Sequence, residues 1–546
     1  MSTQTQVEAP GDPGAKRKII LLFSGLMVTM LLASLNQTVL SSAMPTIVGE
    51  LNGVEHMAWV ITAFILASTV MMPVYGKLGD LLGRKPMLLA AIIIFTVGSV
   101  IGALAPDMGT LIVARVIQGL GGGGLMILSQ ATIADVVPAR ERGKYMGIMG
   151  GVFAFSSVAG PLIGGGLTEG PGWRWTFWMN VPLALLAILA TIFLLHVPRK
   201  IFDVRPKIDY LGMMLIALAT TALVLVGTWG GSEYAWNSPE ILGLIGVAVV
   251  TGFLFVIVEN RAAEPVMPMM LFKNRNFNLT TLAGLLTGIA MFGAIGYMPT
   301  YLQMATGYSA TQAGLLMIPM MAALLVVSVI VGRRVSTTGR YKVAPIVGSV
   351  ILAASLVLMS TIRTDTPIYL ICTYLGVMGI GLGASMQILT LVAQNSFPMK
   401  FVGTATAGQN YFRQVGATLG SAVVGAMFAN RLKELIAEKM PAGAGSGSGN
   451  SFTPNLVNSL PAPIKTAVIE SYNEALIPLF LLMVPLALLA AAVLCFVKEV
   501  PLETKLDREK AVDISSATIE EFEQAMVTKD VDARDELESS GSPAVK

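Results

Sequence analysis

Residues 76–85 read Gly-Lys-Leu-Gly-Asp-Leu-Leu-Gly-Arg-Lys and join two long apolar runs, at about 57–76 and 86–105. The stretch places three glycines, the acid Asp80 and the basic pair Arg84-Lys85 in one short connection. Glycines allow two helix ends to approach closely, and charges that follow an apolar helix mark the boundary with water. Taken alone, the stretch also fits a basic hairpin that only fixes the orientation of two helices.

The composition of the whole chain points to a membrane. Of the 546 residues, 54% are hydrophobic and only 13% are charged, whereas a soluble domain has about 25% charged residues. Such a chain cannot cover a water-facing surface, so we expect a lipid bilayer around it. Two cysteines and two histidines are too few for a disulfide scaffold or a metal centre. A net charge of +3 gives no reason to expect nucleic acid as a partner.

Apolar runs of about 20 residues can cross a hydrocarbon core about 30 Å thick. On this basis we predict an all-α membrane protein with fourteen transmembrane helices. The runs lie at about 19–43, 57–76, 86–105, 110–133, 143–167, 175–196, 209–229, 240–258, 277–302, 312–332, 343–362, 367–391, 403–429 and 475–498. Basic residues concentrate in alternate loops, so the positive-inside rule places both termini in the cytoplasm.

Four stretches resemble motifs of the major facilitator superfamily, and they follow the order of that family. The first is the loop 76–85, which fits the pattern Gly-x-Leu-x-Asp-x-x-Gly-Arg-Lys. In span four, RVIQGLGGGG at 115–124 is similar to the buried-arginine motif. Span five has Gly151 and then GPLIGG at 160–165, similar to the antiporter motif, and WRWTFWMNVP at 173–182 is similar to a pattern of the drug-exporter branch. Each match alone is weak, but four matches in the order of the family make the resemblance strong.

The predicted number of spans is fourteen and not twelve. In this respect the chain resembles the fourteen-helix drug:proton antiporter branch of this superfamily. In that branch an inserted helix pair separates two six-helix bundles, and the resemblance covers about residues 17–498. It implies a cytoplasmic tail at 1–16, a first bundle at 17–200, the inserted pair at 201–262, a second bundle at 263–498 with a long outside loop at 430–474, and a polar cytoplasmic tail at 499–546.

The resemblance implies a role for the first motif. In the family, its acidic and basic groups form a latch that holds the transporter closed on the cytoplasmic side. The latch residues would be Gly76, Asp80, Gly83, Arg84 and Lys85. Ordinary surface ion pairing, which contributes little to stability, is the alternative.

The resemblance also implies a hinge or seal in span five. Proline in the middle of a helix removes a backbone donor and kinks the helix, while glycines allow close packing against a neighbour. The residues concerned are Gly151, Gly160, Pro161, Gly164 and Gly165. Close packing without any hinge motion is the alternative.

Span one departs from the pattern of the branch at one position. The stretch LNQTVLSSAMP at 35–45 resembles the span-one motif, whose second residue is normally Asp, but this chain has Asn36. A carboxylate can exchange a proton and an amide cannot. Proton coupling could therefore reside in an interfacial acid such as Asp135, the protein could be a uniporter or couple to something else, or Asn36 could be an engineered replacement of an Asp.

Polar residues inside the spans are candidates for the wall of a central cavity. A charged side chain at membrane depth should face protein or water, and for Arg115 the resemblance implies that it faces the cavity and biases nearby protonation. Snorkelling towards the boundary is the alternative for Arg115. The candidates for the cavity wall are Asn36, Gln37, Gln118, Gln303, Gln387, Gln409 and Arg413.

The sequence therefore predicts a multidrug efflux transporter of a bacterial plasma membrane. It would export amphipathic small molecules by proton antiport with alternating access, as a monomer, with the proton as coupling ion and no other cofactor. An exporter of the same fold for an endogenous lipid, siderophore or metabolite is the alternative. An enzyme would need an intramembrane nucleophile, metal set or acid–base pair, and a channel would need a filter or a ring of charges; the sequence offers neither.

Overall fold

The computed structural model describes residues 13–51, 56–195, 207–231, 233–308, 310–439 and 461–504, and most of these residues are helical. The α-helices are α1 (Pro13–Glu50), α2 (Met57–Leu82), α3 (Arg84–Ala103), α4 (Met108–Val136), α5 (Ala139–Glu169), α6 (Trp175–Trp178), α7 (Asn180–Leu194), α8 (Tyr210–Trp229), α9 (Pro239–Glu259), α10 (Arg275–Ile295), α11 (Met298–Thr306), α12 (Ala310–Leu315), α13 (Ile318–Thr338), α14 (Val343–Met359), α15 (Ile368–Asn395), α16 (Val402–Lys439) and α17 (Ala462–Cys495).

Within these residues, twelve helical segments are long and apolar enough to cross a membrane. The protein is thus an all-helical, multi-pass membrane protein, but the structure does not establish the expected number of fourteen spans. One of the two remaining expected spans, α14, has only 17 residues, about 26 Å of helix. The other, α16, has 38 residues, but polar side chains such as Gln409, Asn410 and Arg413 lower its hydropathy.

The first bundle comprises α1 to α7. Helices α2 and α3 both pack on α4, and α1 packs on α5 and α7. The glycine run of α4 makes this possible: a Cβ on Gly121 would lie 2.5 Å from the carbonyl oxygen of Ala91, so no larger residue fits there. A core of Leu, Ile, Met and Phe side chains, with Phe95 fully buried, fills the space between these helices.

The second bundle comprises α10 to α17. Helix α10 packs on α16 and α17, and α15 packs on α13 and α14. Its largest core cluster includes Tyr301, Met378 and Phe480, each at most 1% exposed. Helices α8 and α9, the expected inserted pair, pack on each other, and α8 also contacts α2 and α16. Most side chains of α9 are exposed, so α9 is the helix that faces lipid most completely.

Several boundaries differ from the sequence-based expectation. Helix α1 begins at Pro13, inside the expected tail 1–16. Within the expected loop 430–474, α16 continues to Lys439 and α17 starts at Ala462, and residues 440–460 lie outside the described part. Residues 499–504 of the expected tail pack on the bundle, where the Glu499 carboxylate accepts the backbone N–H of Tyr341 at 2.8 Å; residues 505–546 lie outside the described part.

The two bundles meet closely at one end of the molecule. We call this the basic end: it is where α2, α4 and α13 finish and where α16 begins. There α5 packs on α13 and α2 packs on α16. A Cβ on Gly332 of α13 would collide with the carbonyl oxygen of Gly143 on α5, so the backbones of the two bundles are in direct contact. Arg140 strengthens this contact by donating to the carbonyl oxygen of Ser336 at 3.2 Å.

We predict that Gly332→Val prevents closure of the basic end, because the added side chain has no space beside Gly143. Spin labels at Glu141→Cys and Arg334→Cys, in a background with both native cysteines replaced by alanine, would report the separation of α5 and α13. The label distance should become longer by several ångströms and its distribution broader. In the matched variant Gly246→Val, where nothing lies within 4 Å of the added Cβ, the distance should not change. An unchanged distance in Gly332→Val would contradict the prediction.

Candidate functional site

A cavity of about 220 Å³ lies between the two bundles. The first bundle contributes residues of α1, α2, α4 and α5, and the second contributes residues of α10, α13, α15 and α16. The wall is mainly apolar. Six methionines and three phenylalanines line it: Met30, Met72, Met126, Met149, Met291, Met386, Phe64, Phe153 and Phe292.

A second cavity, of about 450 Å³, adjoins the first beside the inserted pair. It lies among α2, α8, α10 and α16, and it shares Ile65, Phe292 and Gln414 with the central cavity. Helix α8 therefore forms part of the wall of a space that borders the central cavity. In the described part of the chain, no group of three or more His, Cys, Asp or Glu side chains is placed to hold a metal ion.

Three of the seven expected cavity residues lie on the wall of the central cavity, namely Gln37, Gln387 and Arg413. The other four lie elsewhere, so this expectation needs correction for them. Asn36 and Gln118 are buried inside the first bundle. Gln409 is buried in the second bundle and accepts a hydrogen bond from Thr390 at 3.0 Å. Gln303 on α11 donates only to the carbonyl oxygen of Pro299 in its own helix.

Arg413 is part of a hydrogen-bonded chain that crosses between the bundles. Its Nη2 donates to Asn410 Oδ1 at 2.5 Å. Asn410 Nδ2 in turn donates to Gln130 Oε1 of α4 at 3.0 Å. Gln130 was not among the expected site residues, because a single amide in an apolar helix gives no sign of a partner 280 residues away.

Arg115 does not face the cavity, contrary to what the resemblance implies. Its guanidinium points into the first bundle, where Nη1 donates to Asn36 Oδ1 at 2.5 Å and to Gln118 Oε1 at 2.8 Å. Nε donates to the carbonyl oxygen of Val60 at 3.0 Å, and the guanidinium stands over the ring of Phe64 at 4.3 Å. Asn36 thus occupies the place where a carboxylate would make an ion pair with Arg115.

The latch expected from residues 76–85 has a defined geometry. Arg84 Nη2 donates to Asp80 Oδ1 at 2.6 Å, and Arg84 Nε donates to Asp135 Oδ2 at 3.1 Å. Asp80 reaches across to the first turn of α16, where it accepts the N–H of Gly403 at 3.2 Å and the N–H of Thr404 at 2.6 Å. Free N–H groups and the positive end of the dipole make a helix N-terminus favourable for a carboxylate. Asp80 therefore joins the two bundles.

The other expected latch residues play different parts. Gly76 allows the close approach of α2 and α16, because a Cβ there would lie 2.9 Å from the carbonyl oxygen of Gly403 and would collide with Ala407. Gly83 separates α2 from α3 with φ of 96°, a conformation that side chains disfavour. Lys85 is the exception: it donates to the carbonyl oxygen of Ile192 at 2.7 Å, so it connects helices of the first bundle and does not hold the two bundles together.

Two of the five expected hinge residues of α5, Gly160 and Gly164, pack against α1. A Cβ on Gly160 would collide with Thr38, and one on Gly164 would collide with Ser42. Gly151 instead faces Leu325 of α13 at the bundle interface, and Gly165 is half-buried. Helix α5 continues without interruption through Pro161. The contacts explain why these positions are small, while a hinge motion remains a prediction.

We predict that Arg84→Gln destabilises the closed state, because it leaves the buried carboxylate of Asp80 and the partly buried carboxylate of Asp135 without the cation that they share. Breaking a buried ion pair costs about 3–5 kcal/mol. Thermal unfolding of the detergent-solubilised protein should occur at lower temperature, and the label distance between positions 141 and 334 should increase. The matched variant Arg340→Gln removes an exposed arginine at the same end without changing a labelled position, and it should leave both measurements unchanged. Equal effects of the two substitutions would show that Arg84 has no special role.

Comparisons with known proteins agree with this architecture. The family profile of the Major Facilitator Superfamily matches residues 26–421. An uncharacterized MFS-type transporter of Mycobacterium tuberculosis (strain ATCC 25618 / H37Rv) is 40% identical over 501 residues, covering 91% of this chain and 72% of the relative. The multidrug transporter protein MdtP of Bacillus subtilis (strain 168) is 34% identical over 486 residues, covering 85% of this chain and 89% of MdtP.

A solved structure supports the fold independently of close sequence similarity. The proton:xylose symporter XylE superposes with a TM-score of 0.58 at 16% identity, covering 89% of this chain and 97% of XylE. The expectation that the chain is a transporter and not an enzyme is confirmed by these relatives. The chain belongs to the major facilitator superfamily, and it is a multi-pass membrane transporter of that family.

Proposed function

We propose that this transporter exports amphipathic small molecules across the plasma membrane of a bacterium by alternating access. The observation that supports this most is the cavity between the bundles, enclosed by methionine and phenylalanine side chains. Methionine is flexible and polarizable, so a methionine-rich wall adapts to apolar groups of different shape. Two relatives from Bacillus subtilis carry the names multidrug transporter protein MdtP and multidrug resistance protein 3, which favours a similar cargo here.

The orientation in the membrane is part of the proposal. The positive-inside rule places the basic end in the cytoplasm, together with both termini. The described structure is then a state in which the cytoplasmic side is closed by the Gly143–Gly332 contact and by Asp80 at the start of α16. Loading of substrate from the cytoplasm requires both contacts to open. We propose a monomer of fourteen helices, because each bundle contributes one wall of the cavity within a single chain.

We propose that proton antiport drives the cycle and that Asp135 is the coupling acid. Asn36 cannot take up a proton, and its amide oxygen is bonded to Arg115. Asp135 bonds to Arg84 and keeps 17% of its side chain exposed, whereas Asp80 keeps 4%, so water reaches Asp135 more easily. Protonation of Asp135 would remove its charge attraction to Arg84. The loosened latch would then favour opening of the basic end.

The transport function is tested in inside-out vesicles with an acidic lumen. We expect a fluorescent aromatic amphipath to accumulate in the lumen and to be released when a protonophore is added. Ala33→Trp, which fills the central cavity, should lower the initial rate about tenfold. Val249→Trp, on the lipid-facing helix α9, should transport like the wild type. If no amphipath is transported while deletion of the gene alters an envelope lipid or a secreted metabolite, the alternative cargo replaces this proposal.

The coupling acid is tested in proteoliposomes with a pH-sensitive dye. We predict that Asp135→Asn abolishes substrate-driven proton movement but keeps downhill transport of substrate, since the amide still accepts a hydrogen bond from Arg84. Asp107→Asn, which changes an acid at the opposite end of α4, should keep the coupling. Proton movement that persists in Asp135→Asn would exclude this site. Asn36→Asp in the same background would show whether span one can carry the coupling, since a gain of proton movement requires a titratable group beside Arg115.

A further inference from the structure

The wall of the central cavity has an unusual charge balance. Among the described residues that line it, Arg413 is charged and no Asp, Glu or Lys is present. The other polar residues of the wall are neutral serines and amides. In a region of low dielectric a single charge dominates the electrostatic potential. The cavity therefore presents a net positive charge to anything that enters it.

Arg115 and Arg413, which both lie within long helices of the bundles, differ in how fully their N–H donors are used. Arg115 donates to Asn36, Gln118 and Val60 within the first bundle. For Arg413, the described residues provide one acceptor, Asn410 Oδ1, and that acceptor is neutral. A guanidinium has five N–H donors in a planar fork that matches a carboxylate or phosphate. Arg413 thus lines the cavity, and among the described residues most of its N–H donors have no acceptor. No carboxylate of the described cavity wall neutralises its charge.

The surroundings of Arg413 suit a ligand with both a charged and an apolar part. Met291 and Phe292 of α10 lie on the same wall. Gln387 Oε1 is buried and has no hydrogen-bond partner among the described residues, so it can accept a hydrogen bond from a ligand hydroxyl or amide. A charge in the membrane interior is costly unless it serves a function or is paired. An anionic group on the substrate would supply the missing partner.

We infer that the substrates are amphipathic anions, with an aromatic or aliphatic body in the methionine-rich cavity and a carboxylate, sulfonate or phosphate bound by Arg413. The inference rests on the proposed function, because it names the charge class of the exported compounds. It excludes a cavity built for organic cations, since such a ligand would meet a like charge and no carboxylate among the described wall residues.

The test uses three probes that share one fluorophore: dansyl-6-aminohexanoate, which is an anion, dansylcadaverine, which is a cation, and the neutral dansyl pentylamide. Binding to the purified protein in phosphatidylcholine nanodiscs is measured by fluorescence anisotropy. The wild type should bind the anion at least about tenfold more tightly than the cation, the factor expected of one charge-assisted contact. Arg413→Gln should weaken binding of the anion about tenfold and leave binding of the neutral probe unchanged.

Two further variants separate charge from structure. Asn410→Asp keeps Arg413 but places a carboxylate on its Nη2, so the preference for the anion should also disappear. Arg431→Gln makes the same substitution as Arg413→Gln on the same helix, at an exposed position paired with Glu434, and should keep the preference. A weakening of anion binding in nanodiscs that contain phosphatidylglycerol that is larger for the wild type than for Arg413→Gln would identify a lipid headgroup as a competing source of the same anionic group and would support the inference.

The outcomes distinguish this inference from the proposed function. If the neutral probe binds and is transported but the wild type shows no preference for the anion, or if Arg413→Gln binds the anion as tightly as the wild type, the inference is overturned and the export function stands. If none of the three probes binds, both are overturned.

Discussion

The carboxylate of Asp80 is the charged group that joins the two bundles of this transporter at the basic end. It lies at the end of α2 in the first bundle, yet it accepts the backbone N–H groups of Gly403 and Thr404 in the second. Arg84 compensates its charge from within the first bundle and connects it to Asp135 at the end of α4. One buried ion therefore couples three helix ends. A buried charge tolerates little displacement, because losing its partners leaves it unsolvated. The contact between Asp80 and the start of α16 is therefore either fully formed or fully absent.

The rest of the interface between the bundles consists largely of contacts that can separate together with the Asp80 contact. Around Asp80, the bundles touch through glycine backbones, at Gly76 against α16 and at Gly332 against α5. Such contacts have little side-chain surface to repack, so the two bundles can separate as rigid bodies. Within each bundle, by contrast, large clusters of Leu, Phe and Met hold the helices together. In the proposed cycle, separation at the basic end would expose the cavity without unfolding either bundle.

Arg115 and Arg413 both lie inside long helices of the bundles, but their surroundings give them different roles. Arg115 donates three hydrogen bonds to neutral acceptors and stands over the ring of Phe64, so it stabilises the first bundle around Asn36. Arg413 borders the cavity, and the part of the chain that the structure describes offers it one partner, which is neutral. If substrates are anions, their anionic group accepts hydrogen bonds from the remaining N–H donors of Arg413. It then lies next to the series of hydrogen bonds from Arg413 through Asn410 to Gln130, which crosses between the bundles. Substrate binding and the position of the bundles would then be linked through the same hydrogen bonds.

The sequence by itself determined the membrane environment and the approximate position of the spans, and it singled out Asp80 and Arg84. It could do so because a bilayer demands long apolar segments and because the latch motif is local: Asp80 and Arg84 are one helical turn apart in the chain. It did not determine the cavity wall. Asn36 and Gln37 are neighbours in sequence, but consecutive residues of a helix point about 100° apart, so Gln37 lines the cavity while Asn36 is buried against Arg115. Which face of α1 looks inward, and which distant helix supplies the partner of Asp80 or Asn410, follows from the packing of whole helices, and only the tertiary structure decided it.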